Sequence, residues 1–342
     1  MKLKKYILPV GIIIVLIISL ANPSTGIYTI KYYAVEISVI ATFLVYGYLH
    51  RLNEFRRDNN FIKGLILVSI INLVVCPILG TGTAFMVLPA AMGIGLIVMS
   101  CMPPTLSSGV VITDAGGGNV VLALIFTITL NILALFTIPI MLSLWSGAVY
   151  PVTISPFLLF YKLLLIVFIP FAAGRVIRKI TKIFLDNKII HLIPTLCILL
   201  AVWVCMSSSS DSLKEMKIID LIVILAAVLF VHCILLFMNY VAGTLIKLNS
   251  ADKKAMVFVG SQKTLPLAAF VISTLALTDA APIIVCIIFH FTQLLLDSLI
   301  ASVVNKIEDS NEVKKRRKRR ELSCSANNSL NKHKFSITLE FE

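Results

Sequence analysis

The sequence predicts an all-α polytopic membrane protein: ten transmembrane helices in a five-plus-five inverted repeat, with two interrupted helices. Three observations lead there. Apolar residues make up 58% of the chain and charged residues 14%, against roughly 45–50% and 25% in soluble domains. Apolar runs of ~20 residues, the length that crosses a bilayer core of about 30 Å, recur along most of the chain. Two of these runs are broken by polar, proline-containing stretches, CMPPTLSSG at 101–109 and GSQKTLP at 260–266. Lipid offers the backbone no hydrogen bonds, so each crossing is read as a helix.

The spans are expected near 6–22, 30–49, 61–80, 85–115, 119–146, 155–180, 190–210, 218–247, 253–277 and 281–305. The first begins MKLKKYILPVGIIIVLIISLA, which has the basic start, apolar run and small-x-small end of a signal peptide. Cleavage would leave nine spans and spoil the symmetry, so the stretch is read as an uncleaved span. The fourth is too long for one straight crossing and holds Pro103 and Pro104, so it is read as interrupted. The ninth is interrupted at Gly260–Pro266.

Loop charge sets the orientation. Lys2, Lys4 and Lys5, then Arg51, Arg56, Arg57 and Lys63, then Arg175, Arg178, Lys179, Lys182 and Lys188, then Lys247, Lys253 and Lys254 fall on one side with the basic tail. The other side holds only Lys31, Lys214 and Lys217. Lys and Arg collect in cytoplasmic loops, so both termini are expected in the cytoplasm, in either the plasma membrane or an endomembrane. The uncharged loop SGAVYPVTI at 147–155 divides the chain. The first repeat is taken as 1–150 and the second as 151–305. An odd number of spans per half turns the second half over, the inverted arrangement common in secondary transporters. The breaks then occupy equivalent positions. Residues 306–342, with KKRRKRR at 314–320, are expected to form a disordered basic tail that meets anionic lipid headgroups. The net charge of +13 owes much to this tail and says little about a substrate.

Lys263 carries the chemistry. It lies nine residues beyond Lys254, so ~14 Å deeper along a helix, close to the bilayer midplane. A charge there on a lone helix costs roughly 2.5–3.5 kcal/mol or more. The ammonium must therefore face protein or water. It can bind an anionic substrate group, stand as a fixed cation, carry protons, or simply pair with carbonyls that the break sets free. Unwound backbone exposes carbonyls suited to cations, and the half-helix that follows presents N–H groups suited to anions. Thr105, Ser107 and Ser108 add hydroxyls at the first break; Ser261, Gln262 and Thr264 line the second. On the last span His290, Gln293 and Asp297 share a helical face. His290 and Gln293 are kept as supporting polar residues, and Asp297 is read as lying near the interface. Asn72, five residues before Pro77, reads as interhelical glue. Six of the seven cysteines lie inside spans without C-x-x-C spacing and read as small packing residues; no metal-ligand cluster or cofactor is expected. Nothing points to nucleic acid.

S-C-M-P-P-T-L-S-S at 100–108, G-G-N at 117–119, G-S-Q-K-T-L at 260–265, and Pro282 followed by H-F-T-Q at 290–293 resemble the bile acid:sodium symporter family. The likeness is to the branch of solute carrier family ten member seven and its bacterial and fungal relatives, and it covers about 1–305. It implies a panel domain and a core domain, the fourth and ninth spans crossing in the core, and organic anions moved with sodium. Gln262 and Thr127 keep the family pattern, Asn72 stands for a glutamine, and Asn119 of the G-G-N motif is taken as a supporting polar residue. The departures are Phe258 where sodium-coupled members carry a glutamate, Lys263 for an asparagine, and Ala123 for a serine. A carboxylate has gone and an ammonium has arrived. The expectation is a secondary transporter of a small organic, anionic solute, coupled to sodium or protons, with the carboxylate-containing sodium site absent. The alternative is a membrane regulator of calcium entry without solute flux of its own. An enzyme is not expected.

Overall fold

The computed structural model describes residues 11, 14–15, 17–30, 32–49, 59–149, 155–181, 188–208, 210, 216–275 and 281–305. Its helices are α1 (Pro23–Ile30), α2 (Ala34–Leu49), α3 (Asn60–Val87), α4 (Ala90–Cys101), α5 (Ser108–Ala115), α6 (Val120–Val149), α7 (Pro156–Thr181), α8 (Lys188–Ser208), α9 (Ile218–Leu245), α10 (Ser250–Ser261), α11 (Leu265–Thr274) and α12 (Ala281–Asn305).

This corrects the expectation of ten spans. Among the described residues six helices are long and apolar enough to cross: α3, α6 to Leu144, α7, α9, α10–α11 and α12. A seventh is reached if α1 and α2, bent by 73°, count as one. The expected fourth span is two half-helices of 12 and 8 residues. At 1.5 Å per residue neither matches a core of about 30 Å. The apolar part of α8 is likewise short, Leu192–Ser208. The expected first span lies partly outside the described residues, the dividing loop mostly so and the basic tail wholly so. A five-plus-five inverted repeat with panel and core domains does not describe this molecule; it is a multi-pass helical membrane protein with six to seven crossings among the described residues.

Two spans contain π-turns that periodicity did not anticipate, Ile71–Val75 in α3 and Leu164–Phe168 in α7. Each is followed, after one residue, by proline: Pro77 and Pro170. Proline lacks an N–H, and its ring crowds the carbonyl four residues back. Widening the turn relieves this, so the Cys76 N–H reaches Ile71 O and the Ile169 N–H reaches Leu164 O. One carbonyl per turn is thereby released from the helix ladder.

Packing follows the small residues. α2 lies against the C-terminal half of α7 through Gly47 and Gly174, where a methyl on either would overlap backbone of the other helix. Such close approach replaces the hydrophobic drive that lipid does not supply. α9 packs along α10, and of the six crossings Ser250–Thr274 is the most enclosed by protein. The second break therefore sits at the centre of the molecule. α9 closes on a Schellman turn, with Leu248 N–H on Gly243 O at 2.9 Å and Lys247 N–H on Thr244 O at 3.0 Å. Lys247 holds the left-handed position at φ 56°, which suits glycine. Lys247→Gly is expected to raise the melting point in detergent, by about 1 kcal/mol of relieved strain; an unchanged or lower melting point would count against it.

Candidate functional site

The two breaks meet. Residues 102–107 separate α4 from α5, and 262–264 separate α10 from α11. The Thr264 N–H donates to Pro103 O at 2.9 Å, and the Thr105 hydroxyl donates to Gln262 Oε1 at 2.7 Å. A buried carbonyl without a donor is costly, so the partners of these unwound segments can be followed one by one. Asn72 Nδ2 donates to Gly260 O at 2.8 Å and to Gln262 O at 3.2 Å. Asn131 Nδ2 donates to Pro104 O at 3.1 Å. Gln293 Nε2 donates to Lys263 O at 2.6 Å while its Oε1 accepts the Lys263 N–H at 2.9 Å. The Gln293 side chain thus pairs with the backbone as a neighbouring strand would.

Lys263 is fully buried. Its Nζ donates to Asn72 O at 2.7 Å, Asn72 Oδ1 at 3.1 Å and Met102 O at 2.8 Å. The Asn72 carbonyl is free for this because of the π-turn: Cys76 N–H has gone to Ile71 O, and the next residue, Pro77, has no N–H. Met102 O is freed by the first break. Three donors meet three oxygens, none of them a carboxylate. The charge is held by dipoles alone, the way a dehydrated cation is held.

A second network starts at Gln262. Its Oε1 accepts from Thr105 and, at 2.9 Å, from Ser108. The Thr105 and Ser108 hydroxyls also meet each other, and with one hydrogen apiece they donate into two of these three contacts at a time. The Gln262 Nε2 donates to Asp297 Oδ2 at 3.0 Å, and Asp297 Oδ1 meets His232 Nε2 at 2.8 Å. Gln262, Asp297 and His232 are each 0% exposed. The chain of contacts runs from the first break, through the second, to α12 and α9.

The remaining sequence-derived candidates sort by what they touch. Ser107 accepts from the Tyr46 hydroxyl at 2.8 Å, tying the first break to α2. Ser261 turns back to Phe258 O on its own helix, and Thr127 to Ala123 O on its own. Thr264 enters through its backbone. His290 Nδ1 accepts from Gln293 Nε2 at 2.9 Å, so it supports the second break from α12. Asn119 sits apart: its Oδ1 caps α6 at the Leu122 N–H, and its Nδ2 holds Asp252 at 2.6 Å. Phe258 packs with Ile112 and Ala301 in a small apolar cluster.

Three residues at the site were missed or misread. Asp297 is at the centre, not near the interface. His232 is a lone histidine in an apolar run, with no spacing to mark it. Asn131 carried a usable signal, since it follows Thr127 by one helical turn inside a span. Beside the first break lies a small apolar recess of about 20 Å³, walled by Phe43, Leu106, Ile128, Asn131, Leu135 and Phe171. Among the described residues no group of three His, Cys, Asp or Glu side chains gathers to hold a metal.

Comparison with known proteins agrees with the motifs. The model of the SBF-like CPA transporter family matches residues 6–306. The chain is 28% identical over 316 residues to the probable sodium/metabolite cotransporter BASS4, chloroplastic, of Arabidopsis thaliana, covering 86% of this chain and 72% of that protein. It is 24% identical over 331 residues to the sodium/bile acid cotransporter 7-A of Xenopus laevis, covering 89% and 92%. The corresponding cotransporter 7 of Mus musculus is 25% identical over 221 residues, 61% and 64% of the two chains. None of these names mentions calcium, so the reading as a calcium-entry regulator gains no support from them. The matched span takes in both breaks, the π-turn that frees the Asn72 carbonyl and the buried lysine between them. The chain belongs to the SBF-like CPA transporter family and is a membrane transporter, not an enzyme.

Proposed function

We propose that this transporter moves a small organic anion by alternating access, with the Lys263 ammonium as a built-in cation between the two breaks. The observation that carries this reading is the bonding of Lys263 Nζ to Asn72 O, Asn72 Oδ1 and Met102 O. A tethered ammonium that takes up the backbone oxygens leaves a sodium ion at that spot both unliganded and repelled. Phe258 and Ala123 at the other departures from the family pattern are in keeping with this, since neither side chain offers an oxygen. An anionic solute is favoured by the same charge and by the N-termini of α5 and α11, which both start at the breaks. Thr105, Ser107, Ser108, Ser261, Gln262, Lys263 and Thr264 form the proposed solute and ion crossing, supported by Asn72, Thr127, His290 and Gln293.

The test is uptake of a panel of labelled organic anions into proteoliposomes, with sodium or with choline as the only added cation. Uptake of at least one anion at similar rates in both is the expected result. Uptake that vanishes in choline would overturn the built-in cation, and the absence of any anion uptake would overturn the substrate class.

A further inference from the structure

Asp297 of α12 and His232 of α9 form a buried pair. The titratable and charged groups facing it are few. His232 comes from α9 and Asp297 from α12; His290 of α12 lies against the Lys263 carbonyl, and the Lys263 Nζ is held by Asn72 and Met102. The other groups in contact are uncharged: Gln262 on Asp297 Oδ2, and the Phe289 ring edge-on to His232 at 6.2 Å between centroids. The His232 Nε2–H donates to the carboxylate. Its Nδ1 has no partner among the described residues and is shut away from solvent. A buried N–H without an acceptor is strongly disfavoured. Nδ1 therefore carries no proton in this conformation, and the pair is neutral imidazole on carboxylate. A second proton on the imidazole needs a different conformation, one that gives Nδ1–H an acceptor or lets water in.

We propose that His232 and Asp297 are the proton-coupling site of this transporter, linked to the meeting of the breaks through Gln262. The inference rests on the alternating-access reading above. Binding one proton takes the pair from a charge of −1 to 0, and with the Lys263 ammonium it takes the centre from 0 to +1. The proton enters either on His232 Nδ1 or on the Asp297 carboxylate, and no covalent bond other than to hydrogen changes. In either case the Gln262 Nε2 loses a full negative acceptor, because Asp297 is then a carboxylic acid or is shared with an imidazolium. Gln262 is the side chain that holds Thr105 and Ser108 of the first break. Weakening its anchor frees the amide to turn and the breaks to separate. Protonation thus biases the side-chain contact of Gln262 with Thr105 and Ser108, which joins the two interrupted spans beside the Thr264–Pro103 and Lys263–Met102 bonds, and such a bias is what coupling requires.

The experiment is a pH step on proteoliposomes of the full chain adsorbed to a solid-supported membrane, with no organic solute present. Wild type is expected to give a transient charge movement on acidification. Asp297→Asn and His232→Gln should each cut its peak to roughly a tenth or less. Asp297→Glu, which keeps a carboxylate, should retain it, as should Ser143→Ala at an exposed position outside the network. Size-exclusion profiles confirm that each variant is folded, and only folded variants are scored. A wild-type trace without a transient, or transients of equal size in wild type and Asp297→Asn, would overturn the assignment. Because no solute is added, the result stands apart from whether organic anions are the cargo.

Discussion

Replacing Lys263 with alanine is expected to destabilise the protein by about 3–5 kcal/mol and to make its stability depend on sodium for the first time. The substitution removes the partner of Asn72 O, Asn72 Oδ1 and Met102 O at once. A buried acceptor left unpaired costs about 1–3 kcal/mol, and three neutral acceptors lose their donor together. The three oxygens remain where the two breaks and the π-turn put them, around a space now vacant. A small cation can enter and be liganded by them. At one hundred times its dissociation constant such an ion returns about 2.7 kcal/mol. Melting of the detergent-solubilised variant should therefore rise with added sodium chloride but not with choline chloride, while wild type ignores both. A variant that melts like wild type, or one that falls without any response to sodium, would sink the idea that the ammonium stands in for a metal ion. Lys263→Met provides the contrast: it fills the space with an apolar chain and should be destabilised yet blind to sodium.

Gln262→Leu should lower organic-anion uptake by roughly two orders of magnitude, the loss that small misplacements of positioned groups produce. The amide is the crosspiece of the centre, accepting from Thr105 and Ser108 and donating to Asp297. Leucine has similar bulk and offers none of these bonds, so the hydroxyls of the first break lose their acceptor and Asp297 keeps only His232. Gln262→Glu is the informative companion. It keeps the shape and the acceptor but sets a carboxylate 3.0 Å from another, and two carboxylates at that distance repel until a proton is shared between them. Its uptake should be low at neutral pH and recover on acidification, as the pair takes up the proton it lacks. Uptake by the leucine variant close to wild type would show that the breaks do not depend on this bond. A glutamate variant without pH dependence would show that Asp297 is not where the charge lies.

Composition and run length identified a helical membrane protein, and short motifs identified the family, because both signals are local. The lysine in the ninth run was legible for the same reason: an ammonium at that depth is anomalous without any knowledge of its neighbours. The count of crossings was not. Hydropathy reads the apolar stretch at 85–115 as one span, yet Pro89 and the Pro103-Pro104 pair divide it, leaving half-helices of 12 and 8 residues. The same limit hid the π-turns. Pro77 and Pro170 were visible, but whether a proline kinks, breaks or widens a helix depends on what receives the released carbonyl. At Asn72 the receiver is Lys263, 191 residues away.

By itself the sequence determined the solvent this protein lives in, its helical secondary structure, its family, and that a buried lysine at the second break had to be housed by protein. Those follow from the energies of single residues in hydrocarbon. Tertiary structure alone decided who houses it: a side-chain amide, the carbonyl released by a proline one helix away, and a carbonyl of the first break. It also moved Asp297 from an assumed edge to the centre and gave it His232, because hydrogen-bond partners in a bundle are chosen by which faces meet, and no spacing along the chain records that choice.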